Sequence, residues 1–286
     1  MSAMKRRGLW IGVGALVLVG VVAGGWWLMQ PEAPAPKTSG TPIAEPATQQ
    51  PATQAAVPYI WHSKTKLAET ELKLPQALAN EPELHARLFA EGVHELKGFA
   101  EAAADARAEE GDSANGMPPL SKTMTWTRAA DTSKLLSLQR ETYEFSGGAH
   151  PNTTLDSLLW DKALKKPLQP AALIRKGADT SKLDAALCQA VTDAKKARLG
   201  KDFSPAGDNW VCPKWTETAV ALAPSSTPGK AGGVTFLFSP SAVGAYAEGP
   251  YLITLPQSAF RWAISPAYLD EFAGAPPKTG DVTPKP

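Results

Sequence analysis

Two cysteines and four histidines in 286 residues leave little from which to build redox or metal chemistry. Charge of one sign is lacking too, with 29 Lys+Arg against 28 Asp+Glu, and the basic residues are scattered. That scatter excludes the basic stripe a nucleic-acid partner would require. The chain has no GxSxG nucleophile elbow, no Walker loop and no dinucleotide fingerprint. Neither Cys188 nor Cys212 has a second ligand at metal spacing, so neither a metal nor a cofactor is expected.

Long apolar runs are also scarce, and the one present lies at the start. Lys5, Arg6 and Arg7 precede the uncharged stretch from Gly8 to Met29. As a helix it would rise about 33 Å, enough to cross a hydrocarbon core. The basic cluster would stay cytoplasmic, with the rest of the chain outside. Trp26 and Trp27 stand where an interfacial aromatic belt belongs. The expectation is a single-pass protein of the inner membrane: a stub at 1–7, an anchor at 8–29 and a periplasmic C-terminal domain. The alternative is secretion after cleavage of a signal peptide ending near Val21-Val22-Ala23.

A Pro/Ala-rich linker follows at 30–57, with six prolines between Pro31 and Val57. Fully extended it would reach on the order of 80 Å. From Gly274 the tail "GAPPKTGDVTPKP", 274–286, reads as a second unfolded end. Without Lys5, Arg6 and Arg7 the charge balance is 26 to 28, a net near −2. In an exported domain Cys188 and Cys212 read as a disulfide closing a loop of about 25 residues, for roughly 3 kcal/mol. The alternative is two buried free thiols.

The folded part spans 58–273. "YIWHSKTKLAETELKLP" reads as one or two strands. "NEPELHARLFAEGVHELKGFAEAAADARAEE" reads as a long helix, with Asn80 and Glu83 as a capping box. Its expected buried stripe is Phe89, Val93, Leu96, Ala100 and Ala103. The hexapeptide "ADTSKL" occurs at Ala130–Leu135 and at Ala178–Leu183. Alternation follows the first copy, with Leu136, Leu138, Arg140 and Thr142 on one face. Helical spacing of Leu183, Leu187, Ala190, Val191 and Ala194 follows the second. One copy should enter a strand and the other cap a helix. Strands form two groups, each with one helix. The fold class is therefore α+β: two linked halves, each an antiparallel sheet with one main helix, behind the transmembrane helix.

The chemistry is thin. His85 and His94 lie nine residues apart on the long helix, on opposite faces, so they cannot share a metal. "HELKG" lacks the second histidine of HExxH, and His62 stands beside Trp61 at the end of the linker. His150, in "YEFSGGAHPNT", could serve as a general base only with an orienting partner, for which Glu144 and Asp156 are the nearest acids in sequence. Read structurally, the same stretch is a turn. Gly147 and Gly148 relax the backbone, Pro151 breaks the pairing, and His150 or Asn152 bonds the loop. The second dense stretch runs from Gly232 to Pro256, where Tyr246 and Glu248 either line a groove or tie down a connection between strands.

Together "YEFSGGAHPNT" and "VTFLFSPSAVGAYAEGPYLITLP" resemble the signatures of a family of extracytoplasmic domains of poorly defined function. That family includes the ectodomain of the RsiV anti-sigma factor and the non-catalytic N-terminal region of PdaC-type peptidoglycan deacetylases. The resemblance implies an α+β ectodomain with a PdaC-like half at 58–165 and an RsiV-like half at 166–273. For RsiV it further implies binding of lysozyme. About seven residues precede the expected anchor, too few to hold a sigma factor, and no residues remain for a deacetylase domain. The expected function is a membrane-anchored periplasmic binding module. Its partner would be a lysozyme-like protein or a peptidoglycan fragment, met by Gly147, Gly148, His150, Asn152, Tyr246 and Glu248. The alternatives are a wall-acting hydrolase using His150 and an envelope scaffold working through its spacer or tail.

Overall fold

The computed structural model describes residues 56–111, 116–200, 203 and 211–284. The expected anchor at 8–29 and almost all of the linker lie outside the described residues. Among those described, no helix is long and apolar enough to cross a membrane.

The architecture is mixed α+β, with two sheets and two helices. Strands β1 (Ile60–Lys64), β2 (Ala68–Lys73), β3 (Leu120–Asp131), β4 (Leu135–Phe145), β5 (Asn152–Asp161) and β6 (Lys166–Leu168) form the first sheet in chain order. Helix α1 (Pro82–Glu110) separates β2 from β3, and these two strands pair in parallel; the sheet's other pairings are antiparallel. A parallel neighbour needs a crossover of a dozen residues or more, which this 29-residue helix supplies.

Helix α1 begins without the expected capping box. Asn80 ends a 3-10 turn, the N-cap is Glu81, and no side chain caps the helix. The Glu81 carboxylate instead accepts from Trp160 Nε1 at 2.9 Å and Lys165 Nζ at 2.7 Å, tying the helix start to β5 and to the β5–β6 turn. The buried stripe is also rotated from the one expected. Leu84, Leu88, Gly92, Leu96 and Ala103 are covered, whereas Phe89 and Val93 are only partly so. Leu72, Met124, Trp126, Leu136, Leu138 and Trp160 face them from the sheet. As the spacing required, His85 is buried and His94 is not.

The second sheet holds β7 (Ala219–Pro224), β8 (Ala231–Phe238), β9 (Tyr251–Pro256) and β10 (Gly280–Asp281), in the order β10-β9-β8-β7. Helix α2 (Ser181–Leu199) packs Leu183, Leu187, Val191 and Ala194 against Val234, Phe236, Tyr251 and Ile253. The two "ADTSKL" copies divide as expected: Leu135 opens β4, and Thr180 is the N-cap of α2.

The two halves are linked as expected, but the boundary at 165/166 shifts, since the pairing follows the hairpin. Strand β6, at 166–168, belongs to the first sheet, and Ala130, Leu135 and Leu159 enter the core of the second half. Strand β7 lies close against the first sheet, and Leu222 N–H donates to Ser137 Oγ at 2.9 Å. Alanines at 219, 221 and 223 give β7 one face of small side chains, which suits that approach.

The tail at 274–286, expected to be unfolded, is a structural element as far as it is described. Gly280 and Asp281 pair with Thr254 and Ile253. Arg198 donates to both Asp281 oxygens and, at 2.7 Å, to Thr283 Oγ1. A proline- and glycine-rich composition hides a strand whose partners lie far off in sequence. Cys188 and Cys212 form a disulfide that fastens α2 to the segment entering β7.

Candidate functional site

Strands β4 and β5 form a long hairpin whose last pair is Glu144↔Asn152. Gly147 and Gly148 turn the chain with φ of 90° and 96°, a region side chains with a Cβ rarely enter. The hairpin end projects toward the 3-10 turn Tyr246–Glu248, which connects β8 to β9. There the His150 ring stacks on the Tyr246 ring with centroids 4.3 Å apart. The Pro151 carbonyl oxygen accepts from Tyr246 O–H and from His150 Nδ1, the latter at 3.0 Å. The two stretches singled out in the sequence thus meet, although they belong to different sheets. Leu155 N–H reinforces the junction by donating to Ser239 Oγ at 2.9 Å.

The six predicted residues divide in role. His150 is exposed and Tyr246 half-buried, and together they present a surface. Gly147 and Gly148 shape the turn beneath it. Asn152 is exposed at the start of β5, and its side chain, unlike that of His150, bonds nothing in the turn. Glu248 points inward. Its carboxylate receives Lys195 Nζ at 2.6 Å, Tyr251 O–H at 2.6 Å and Ala245 N–H at 2.7 Å. Burial pushes the Glu248 carboxyl up, but these donors together hold it below the usual range. Burial and donation to Glu248 push the Tyr251 phenol up.

Around Glu248 the packing leaves no slack. A Cβ on Gly244 would collide with the Glu248 carboxylate and the Lys195 ammonium. Lys195 also donates to Val243 O at 2.9 Å, and Arg198 to the carbonyls of Glu248 and Pro250. The Arg198 guanidinium lies 3.6 Å from the Tyr251 ring centroid, a cation–π contact. Glu248 ties the β8–β9 connection to α2 through Lys195. Lys195 and Arg198 escaped the sequence reading, yet a signal existed: four residues on from Val191, the apolar stripe of α2 lands on Lys195.

The acids proposed to orient His150 are engaged elsewhere. Glu144 pairs with Lys122 at 3.1 Å, and Asp156 with Arg140. Among the described residues no carboxylate lies within hydrogen-bond distance of His150, and no group of three His, Cys, Asp or Glu side chains could hold a metal.

A cleft of about 420 Å³ is lined by residues of both sheets. Thr125, Thr127, Gln139, Glu141 and Leu155 line one wall; Leu237, Leu252 and Thr283 line the other.

Comparison with known proteins agrees with the fold. Residues 61–153, from β1 to the first residues of β5, match the family model described as deacetylase PdaC. A DUF3298 family protein from Pseudomonas aeruginosa PAO1 is 17% identical, aligning 75% of this chain with 94% of its own at a TM-score of 0.49. A DUF3298 family member from Bacteroides fragilis is 16% identical, aligning 74% of this chain with 94% of its own at a TM-score of 0.51. No curated protein matches. The resemblance read from the two signature stretches stands: the chain is similar to PdaC-type and DUF3298-type domains, the latter a domain of unknown function.

Proposed function

We propose that this chain is a membrane-anchored, periplasm-facing binding module that recognises a lysozyme-like protein through the surface built by His150 and Tyr246. One observation carries the reading. The two signature stretches meet ring on ring, and the histidine at their junction has a backbone carbonyl as its partner and no acid. Such a platform suits recognition: Tyr and His offer apolar faces with polar rims at low conformational cost. The run from Gly8 to Met29 and the proline-rich linker support a domain held away from a membrane.

Calorimetric titration of the full chain with a panel of lysozymes, repeated with His150→Ala, tests the proposal. Saturable binding weakened in the variant is the expected result. No binding to any member of the panel would remove lysozyme as the ligand and turn the search to peptidoglycan fragments.

A further inference from the structure

We infer that the cleft between the sheets is a binding site for a neutral oligosaccharide, separate from the His150–Tyr246 surface. Its two walls differ in character. Register places Thr125 opposite Glu141 and Thr127 opposite Gln139, so these four side chains share one face of the first sheet. None of them makes a hydrogen bond or ion pair within the protein. Four adjacent polar side chains, part-buried or exposed along a cleft, thus keep their full capacity for an outside partner.

The facing wall is largely aliphatic; its hydroxyl, Thr283, is engaged by Arg198, Asp281 and Leu252 N–H. Leu237 and Leu252 are cross-strand partners of β8 and β9, and Pro250 and Pro284 extend the same surface. A pyranose ring has this division itself, with hydroxyls around its rim and C–H groups on its faces. Tyr143, two residues beyond Glu141 on the same strand face and opposite Thr123, stands beside the cleft and is 40% exposed.

Charge narrows the ligand class. Glu141 is the one carboxylate lining the cleft; farther along the same face Lys73, register partner of Thr125, is paired with Glu71 at 2.6 Å. Arg140 also borders the cleft, but its guanidinium turns to the opposite face of β4, to Asp156 and Glu95. A phosphate or carboxylate ligand would meet the Glu141 carboxylate with the Lys73 ammonium already paired to Glu71, whereas a neutral polyol meets acceptors and donors alone. The volume lies within the roughly 300–1,000 Å³ of small-molecule sites.

The inference rests on the chain being a binding module but not on lysozyme as its partner. The test is titration of the full chain, in a detergent without sugar headgroups, with tri-N-acetylchitotriose and with trigalacturonate. Saturable binding of the neutral trimer is expected, with weaker binding of the charged one. The double variant Gln139→Ala/Glu141→Ala should lose about tenfold in affinity, the size of one or two hydrogen bonds, at an unchanged unfolding midpoint. Absence of saturable binding by the neutral trimer, or equal affinity in the double variant, would overturn the site. If lysozyme binding persists while the trimer fails, the cleft assignment alone is lost; if both fail, so is the binding-module reading.

Discussion

The rings of His150 and Tyr246 stack 4.3 Å apart, and both residues direct a hydrogen bond to the carbonyl oxygen of Pro151. A hairpin end from one sheet is thereby held to the β8–β9 connection of the other. In a double-mutant cycle, His150→Ala and Tyr246→Ala should couple by about 1 kcal/mol in folding stability. Tyr246→Phe keeps the stack and should lose about 1 kcal/mol through the missing hydroxyl. Urea unfolding reads both quantities, and additive effects would show that the stack contributes nothing.

Lys195 and Glu248 form a nearly dry ion pair, with side chains 5% and 11% exposed. Removing the cation alone strands a buried carboxylate, so Lys195→Ala should cost about 3–5 kcal/mol. Lys195→Met combined with Glu248→Gln should recover part of that loss, because no uncompensated charge remains. Comparison of unfolding midpoints decides the matter.

Stability should fall in acid. Burial opposes ionisation of Glu248, Glu271 and Asp281, yet hydrogen-bond donors hold all three below their usual values of 4.5, 4.5 and 3.8. For Glu271 the donors are the Thr132 hydroxyl with Lys134 N–H and Ser133 O–H, the last two at 2.8 Å. A folded-state pKa below the unfolded one gives stability that is complete above the unfolded value and lost as pH falls through the folded one. The unfolding midpoint should therefore stay level from neutrality down to about pH 5 and drop below it. Glu248→Gln and Asp281→Asn should each flatten the acid limb, and an unchanged limb in both would contradict the assignment.

The C-terminal segment should behave as part of the fold. Truncation after Lys278 removes β10 and the carboxylate partner of Arg198, and should cost on the order of 2 kcal/mol. Asp281→Ala should reproduce most of the loss. Hydrogen exchange at Val282 N–H, which donates to Leu252 O at 2.8 Å, offers a local readout. Fast exchange there in the intact protein would argue against the strand.

Reduction of the Cys188–Cys212 disulfide frees a loop of about 25 residues and should lower stability by about 3 kcal/mol. Serine at both positions should match the reduced protein, which a thermal scan with and without reductant can establish.

Local pattern made much of this molecule legible. Alternation after the first "ADTSKL" copy and helical spacing after the second were enough to place β4 and α2, because side-chain direction depends on the nearest few residues. The adjacent glycines announced the turn between β4 and β5 for the same reason. Tertiary structure decided what depends on distant partners. Asn80 lost its capping role to a 3-10 turn, and the Glu81 carboxylate went to Trp160 and Lys165, a choice made by strands some eighty residues away. The tail 274–284 became ordered because Arg198 and β9 offered it partners. Glu248 turned inward because Lys195 waited on the buried face of α2. The Thr125, Thr127, Gln139 and Glu141 wall exists only once β3 and β4 are in register. Backbone preference and apolar periodicity are properties of a short window of sequence. Ion pairs, ring stacks and clefts arise only where the folded chain brings remote segments together and excludes water between them.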